Sequence, residues 1–263
     1  MNRTVICFDG VGTNGRVEGS VLAPCADRLA TKINADTHWI PWGGSTMLNM
    51  GGGGTWNDNS AAGVRALTEW MDQHPGHQIV LMSFSGGSKP AHDFLIKHPR
   101  YHHRVLGAGF LSDPWRPSDR YQHGLPKPTG WGVCGERYTP ISDRAWWTTV
   151  PGDAIPNAPA DSLLRYFADV SDGHPDQMIT NAITAFQKGR FQLSAHLQLP
   201  LIERIIGLGP RIRDASDAVW RYLNGWHTNH YLGPVDSGGG DHRSLADRLA
   251  DSVAWGVTTR YGK

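Results

Sequence analysis

An apolar run at residues 78–84, Gln-Ile-Val-Leu-Met-Ser-Phe, breaks at Ser85-Gly86-Gly87, and a helical stretch follows at once. The run does not alternate apolar with polar residues. It therefore predicts a strand buried on both faces, as in the middle of a parallel sheet. Parallel neighbours need crossover connections, so a helix must lie on each side of such a sheet. The stretch after Gly87 supplies one, because Ala91, Phe94 and Leu95 share one face at helical spacing.

The rest of the chain agrees with an α/β fold. Residues 4–8 form a short β-branched and aromatic run that ends in the turn-rich Asp9-Gly10-Val11-Gly12-Thr13. Residues 38–42 predict a second strand, and the Gly51 to Gly54 run a flexible loop. From Ser60, the residues Val64, Leu67, Trp70 and Met71 mark a helix that Pro75-Gly76 stops. Residues 104–111 and 145–150 predict two more strands. Residues 160–222 differ, with amphipathic segments at 163–170 and 201–208, no convincing strand, and punctuation by Pro200, Gly207, Gly209 and Pro210. Two readings stay open there: a helical insertion over the sheet, or ordinary crossover helices. The insertion is the one adopted, which divides the chain into a core of 1–159 and 223–263 and a helical linker or lid of 160–222.

Composition narrows the function classes. The net charge is +1 over 263 residues, with no block of Lys and Arg to grip nucleic acid or a membrane surface. Three cysteines, Cys7, Cys25 and Cys134, do not make a disulfide framework and suit a reducing compartment. Residues 4–8 are too short for the apolar core of a signal peptide, and no run reaches the length of a membrane span. The expectation is a chain made in the cytoplasm without a signal peptide and without stable membrane insertion. Its oligomeric state is not legible.

The strand–Ser–Gly–Gly–helix junction is the context of a nucleophile elbow, in which a tight turn lifts a serine hydroxyl above the sheet. Ser85 is the candidate nucleophile. The usual pattern is G-x-S-x-G; here Ser83 stands for the first Gly and Gly87 for the second. Gly86, opening the helix, can turn its N–H toward an oxyanion, and Val11 in the early glycine loop is the candidate second donor. Pro90 falls near the end of the first helical turn, where a missing N–H can cost a hydrogen bond. The Asp9–Thr13 loop lacks a following Gly-Lys-Ser/Thr and so meets neither the P-loop nor the dinucleotide fingerprint.

In such folds the acid and then the base follow the nucleophile along the chain. Asp153, in Pro151-Gly152-Asp153 after the 145–150 strand, is the candidate acid, with Asp113 of Leu111-Ser112-Asp113-Pro114-Trp115 as rival. The candidate base is His227, with His230 and His242 as rivals among thirteen histidines. Trp226 and Tyr231 flank His227 closely enough to pack its loop. No histidine, cysteine or acid spacing matches a zinc pattern, so neither metal nor organic cofactor is expected.

Taken together, the Gly10 to Thr13 loop, Phe84-Ser85-Gly86-Gly87, Asp113-Pro114-Trp115-Arg116, Pro151-Gly152-Asp153 and the late Trp226-His227 resemble the lysin B enzymes of mycobacteriophages, relatives of cutinases. The resemblance is one of order and local context. It implies a cutinase-like α/β-hydrolase fold, a triad of Ser85, Asp153 and His227, and a helical linker between acid and base. It also implies a phage lytic esterase that frees mycolic acids from arabinogalactan, acting on the host envelope after release, with a lipid ester of a mycobacterial-type envelope as its partner. The chain departs from the family at Ser83, at Gly86 (where glutamine is common) and at Asp9 (where histidine often stands). The residues by themselves leave open a general cutinase-like or lipase-like carboxylesterase, or a catalytically dead hydrolase fold used for binding.

Overall fold

The computed structural model describes residues 2–11, 19–42, 56–122, 124–165, 208–234 and 241–262. Five strands form one wholly parallel sheet: β1 (Asn2–Phe8), β2 (Asp36–Trp39), β3 (His77–Phe84), β4 (Val105–Leu111) and β5 (Ala145–Thr148), in the order β2-β1-β3-β4-β5. The helices are α1 (Leu22–Ile33), α2 (Trp56–Gln73), α3 (Ser88–Lys97), α4 (Leu208–Leu223), the short α5 (Asn229–Leu232) and α6 (Leu245–Tyr261).

Alternation along the strands builds two cores. Val5 and Cys7 of β1 and Val80 and Met82 of β3 face α1 and α6, meeting Leu22, Leu29, Leu249 and Val253. Ile6 and Phe8, with Ile79 and Leu81, face α2 and α3 and meet Leu67, Met71 and Phe94. Each fully buried side chain of this kind contributes about 1.5–3 kcal/mol. Both faces of β1 and β3 are therefore apolar, as the 78–84 run predicted.

Strand order positions the site. The chain leaves β1 toward β2, then returns across β1 to β3, so β1 and β3 flank the point where the winding direction reverses. A crevice opens beyond the carboxyl ends of the strands at such a point. Phe8 pairs with Ser83, so Asp9-Gly10 and Phe84-Ser85 leave the sheet side by side.

Several boundaries differ from the sequence expectation. The second strand is Asp36–Trp39 rather than 38–42. Trp42, beyond it, turns its indole N–H to the Asp9 carbonyl at 2.8 Å. Helix α2 starts at Trp56 rather than Ser60, because Trp56 is buried and packs on Trp115 with ring centres 4.8 Å apart. Helix α1 was not foreseen at all. At its start the Ser20 hydroxyl accepts from the Leu22 N–H at 3.1 Å, and Pro24 lies in the first turn, where no N–H is needed. Of the expected 160–222 insertion, residues 166–207 lie outside the described residues, and with them most of the 163–170 and 201–208 segments. The part described is residues 160–165 and helix α4.

Between β4 and β5 the described chain forms only one short 3-10 turn, Ser142–Arg144. Its organiser is Arg116, a fully buried guanidinium that donates to the carbonyls of Pro117, Arg120, Gly130 and Pro156. Among the described residues, no helix is long and apolar enough to cross a membrane.

Candidate active site

Ser85 is the first residue after β3 and heads the 3-10 turn Ser85–Gly87 that runs into α3. Its φ is 51°, in the left-handed region, which costs a residue with a β-carbon about 1–2 kcal/mol. Small neighbours permit that turn. A β-carbon on Gly87 would lie 2.3 Å from the carbonyl oxygens of both Phe8 and Asp9, so only glycine lets α3 start this close to the end of β1. Ser83 fits where the pattern has glycine because its hydroxyl, fully buried, pairs with the Ser88 hydroxyl at 3.1 Å. Pro90 breaks no bond. It is the third residue of α3, and the first four N–H groups of a helix have no partner within it.

His227 reaches Ser85 from the turn between α4 and α5. Its Nε2 lies 2.7 Å from Ser85 Oγ and its Nδ1 3.0 Å from Asp153 Oδ2. Facing a carboxylate, Nδ1 carries the ring proton, which leaves the Nε2 lone pair for the serine hydroxyl. The ring is packed by Phe84 and Tyr222, with centre distances of 5.1 and 4.9 Å. Trp226, expected to hold this ring, stacks on His230 instead at 4.6 Å. Tyr231 does fix the loop, its ring buried edge-on to Phe84 and its hydroxyl donating to Asp153 Oδ2 at 2.8 Å and accepting from the Val150 N–H at 3.2 Å. Burial, and then the Asp153 charge, push the Tyr231 hydroxyl well above its ordinary range, so it stays a proton donor.

Asp153 sits in the turn after β5, closed by its own N–H to the Val150 carbonyl at 3.1 Å. Its Oδ1 accepts from the Ile155 N–H at 3.0 Å. Its Oδ2 receives Tyr231, His227 and the Ser112 hydroxyl, the last at 2.7 Å. The rival Asp113 is committed elsewhere. Its Oδ2 meets His92 Nε2 at 2.8 Å and accepts from the Trp147 indole at 2.9 Å, and its Oδ1 accepts from the Trp115 N–H at 2.9 Å. His230 and His242 are exposed, whereas Ser85, His227 and Asp153 are all buried.

Val11 and Gly86, the two candidate oxyanion residues, are neighbours. A β-carbon on Gly86 would lie 2.3 Å from Val11 Cγ2, which places the Val11 side chain directly against the serine turn. Gly12 and Thr13 lie outside the described residues. Asp9, where the family often has histidine, is buried, and its Oδ1 accepts from the Gly10 N–H at 2.8 Å. Among the described residues, no group of three or more His, Cys, Asp or Glu could hold a metal ion.

Sequence reasoning missed Ser112, Phe84 and Tyr222 as neighbours of the base and acid. Phe84 had a signal, since the residue before an elbow serine must lie beside whatever approaches that serine. Ser112 and Tyr222 had none.

A serine on a strand-to-helix turn, a buried imidazole and a buried carboxylate, hydrogen-bonded in line at the carboxyl edge of a parallel sheet, define a nucleophile–base–acid site on an α/β fold. No family model matches the chain, and no curated protein matches it. Among solved structures it is similar to lysin B from Mycobacteriophage D29, at 16% identity and TM-score 0.48, over 84% of this chain and 89% of that one. It is also similar to a cutinase-like protein from Cryptococcus sp., at 11% identity and TM-score 0.47, over 71% of this chain and 94% of that one. An acetyl xylan esterase matches at 14% identity and TM-score 0.44, over 68% of this chain and 97% of that one.

Proposed function

We propose that the chain is a serine esterase acting on a lipid ester. The observation that carries the proposal is the 2.7 Å approach of His227 Nε2 to the hydroxyl of Ser85 on a left-handed strand-to-helix turn. His227 takes the Ser85 proton as Oγ attacks the ester carbonyl. The N–H groups of Gly86 and the Val11 loop hold the oxyanion. His227, now imidazolium beside Asp153, returns the proton to the departing alcohol, leaving an acyl-serine. Water then enters and attacks the acyl carbon as His227 takes one of its protons; His227 returns that proton to Oγ as the acyl–Oγ bond breaks, which releases the acid and restores Ser85. The chemistry draws only on side chains and backbone of the chain and on water.

For the substrate, the sequence resemblance to lysin B supports the ester that joins mycolic acid to arabinogalactan. In that reading the chain is a phage lytic enzyme that acts on the host envelope once released. The test has two arms. Turnover of p-nitrophenyl butyrate, abolished by Ser85→Ala, separates an esterase from a hydrolase fold used for binding alone. Release of free mycolic acid from purified mycolyl-arabinogalactan tests the substrate. Turnover of the short ester without that release makes the chain a general carboxylesterase.

A further inference from the structure

We propose that Ser112 is a fourth member of this site, a positioning residue whose hydroxyl ties the carboxylate of Asp153 to the Nδ1 edge of His227. The proposal rests on reading Ser85, His227 and Asp153 as the hydrolytic machinery, and it concerns how that machinery is held.

The backbone gives the first argument. Among the described residues, only Asn34, Ser85 and Ser112 have positive φ without being glycine. Asn34 ends helix α1, a place where asparagine is at home. The other two stand in the site. Ser112 follows β4 directly and holds φ 55°, and its N–H donates to the Thr148 carbonyl at 3.1 Å, which anchors it on β5. Glycine would take this conformation without penalty. Serine brings a hydroxyl in exchange for strain.

The hydroxyl gives the second argument. Ser112 is fully buried, and its Oγ lies 2.7 Å from Asp153 Oδ2 and 3.0 Å from His227 Nδ1. It has one proton to give. That proton goes to Oδ2, because an ionised carboxylate only accepts and Nδ1 already carries the proton it donates. An oxygen lone pair of Ser112 then faces the Nδ1–H. The ring proton is shared between two acceptors, Asp153 Oδ2 and Ser112 Oγ, each at 3.0 Å. One acceptor would fix the distance of the imidazole. Two, set on different elements, also fix its tilt, and with it the aim of Nε2 at Ser85.

The third argument is orientation. Oδ2 of Asp153 receives three donors, from Ser112, Tyr231 and His227, while Oδ1 accepts from the Ile155 N–H. Donors converging on both oxygens leave the carboxylate one orientation, with Oδ2 toward the imidazole.

Ser112→Gly and Ser112→Ala separate the hydroxyl from the backbone. Both remove Oγ; glycine also relieves the strain and alanine keeps it. The expected result on p-nitrophenyl butyrate is a loss of about tenfold in kcat in both variants, the size of one hydrogen bond to a charged group. KM is unchanged, and the glycine variant melts no lower than the alanine variant. If Ser112 served only the turn, kcat would follow stability, and Ser112→Gly would work at the wild-type rate; that result overturns the proposal. A second readout does not depend on turnover. In the NMR spectrum of the whole chain, the His227 Nδ1 proton should shift in Ser112→Gly as a shared bond becomes a single one, and an unmoved resonance also overturns the proposal. Failure of the esterase reading shows separately, as a wild-type chain that turns over no ester.

Discussion

A β-carbon placed on Gly87 would stand 2.3 Å from the carbonyl oxygen of Phe8, the last residue of β1. Backbone on backbone cannot yield cheaply. Gly87→Ala should cost at least about 2–3 kcal/mol in urea unfolding, the upper range for overpacking a tight site. Gly86→Ala meets side chains instead, Val11 Cγ2 and the Trp42 ring, which can turn aside. It should fold, and lose ester turnover because the displaced Val11 loop no longer borders Ser85. Equal unfolding midpoints for the two variants would contradict this.

The two aspartates should separate by phenotype. Asp153→Asn offers His227 an amide that can present its N–H to Nδ1, favouring the wrong tautomer, and turnover of the folded variant should fall by roughly three to four orders of magnitude. Asp113→Asn turns an NH2 toward either the Trp147 indole N–H or the Trp115 N–H in the core, so the loss should appear in stability, about 1–3 kcal/mol, rather than in kcat. The reverse pattern would move the acid to Asp113.

Of the three late histidines, only His227 touches the nucleophile. His227→Ala should reduce turnover to the level of Ser85→Ala. His230→Ala should keep most activity, losing only its stack on Trp226, and exposed His242 should be replaceable at no cost. A single short ester, assayed with circular dichroism as the folding control, decides among them.

Asp251 on α6 binds Arg28 of α1 through two bonds of 2.8 and 2.9 Å, and also meets Lys32 and Arg243. Burial pushes its carboxyl up, but hydrogen bonds from Arg28, Arg243 and Lys32 outweigh that and hold it at about 2, below the ordinary 3.8. A depressed folded-state value means stability that is complete above about pH 4 and lost as pH falls through about 2. Because Lys32 and Arg243 are nearly half exposed, the contribution is about 1 kcal/mol. Asp251→Asn should therefore lower stability by that amount at pH 7 and hardly at all at pH 2. A difference that persists at pH 2 would mean the aspartate acts by shape rather than charge.

The parts of this fold that the sequence exposes are those with a strong local signature. The apolar run of β3, its Ser-Gly-Gly exit and the helix behind it were legible because burial on both faces, a tight turn and a helical stripe each leave a mark on neighbouring residues. His227 and Asp153 were legible through their order and flanking residues. Helix α1 was not, since Pro24 in its first turn reads as a helix breaker. Ser112 was not, because nothing in Leu111-Ser112-Asp113 signals a left-handed backbone, and its partners lie 41 and 115 residues away. Tyr231 was expected to pack its loop and does so in the core beside Phe84, but the bond from its hydroxyl to Asp153 was not foreseen. Distant hydrogen bonds of this kind leave no periodicity to read.

Arg116 carries a consequence for how this protein can diverge. Its guanidinium fastens the link between β4 and β5 through main-chain carbonyls at Pro117, Arg120, Gly130 and Pro156, and Arg165 does likewise at Trp131, Gly132, Ala158 and Pro159. A clasp that grips mainly peptide groups is indifferent to most of the letters written along the ribbon it holds; the exceptions are Trp131, whose ring lies under Arg165, and Gly130 and Gly132, where a β-carbon would strike main chain. The link can therefore change much of its spelling elsewhere without changing its course, and the turn that carries Asp153 travels with it unaltered.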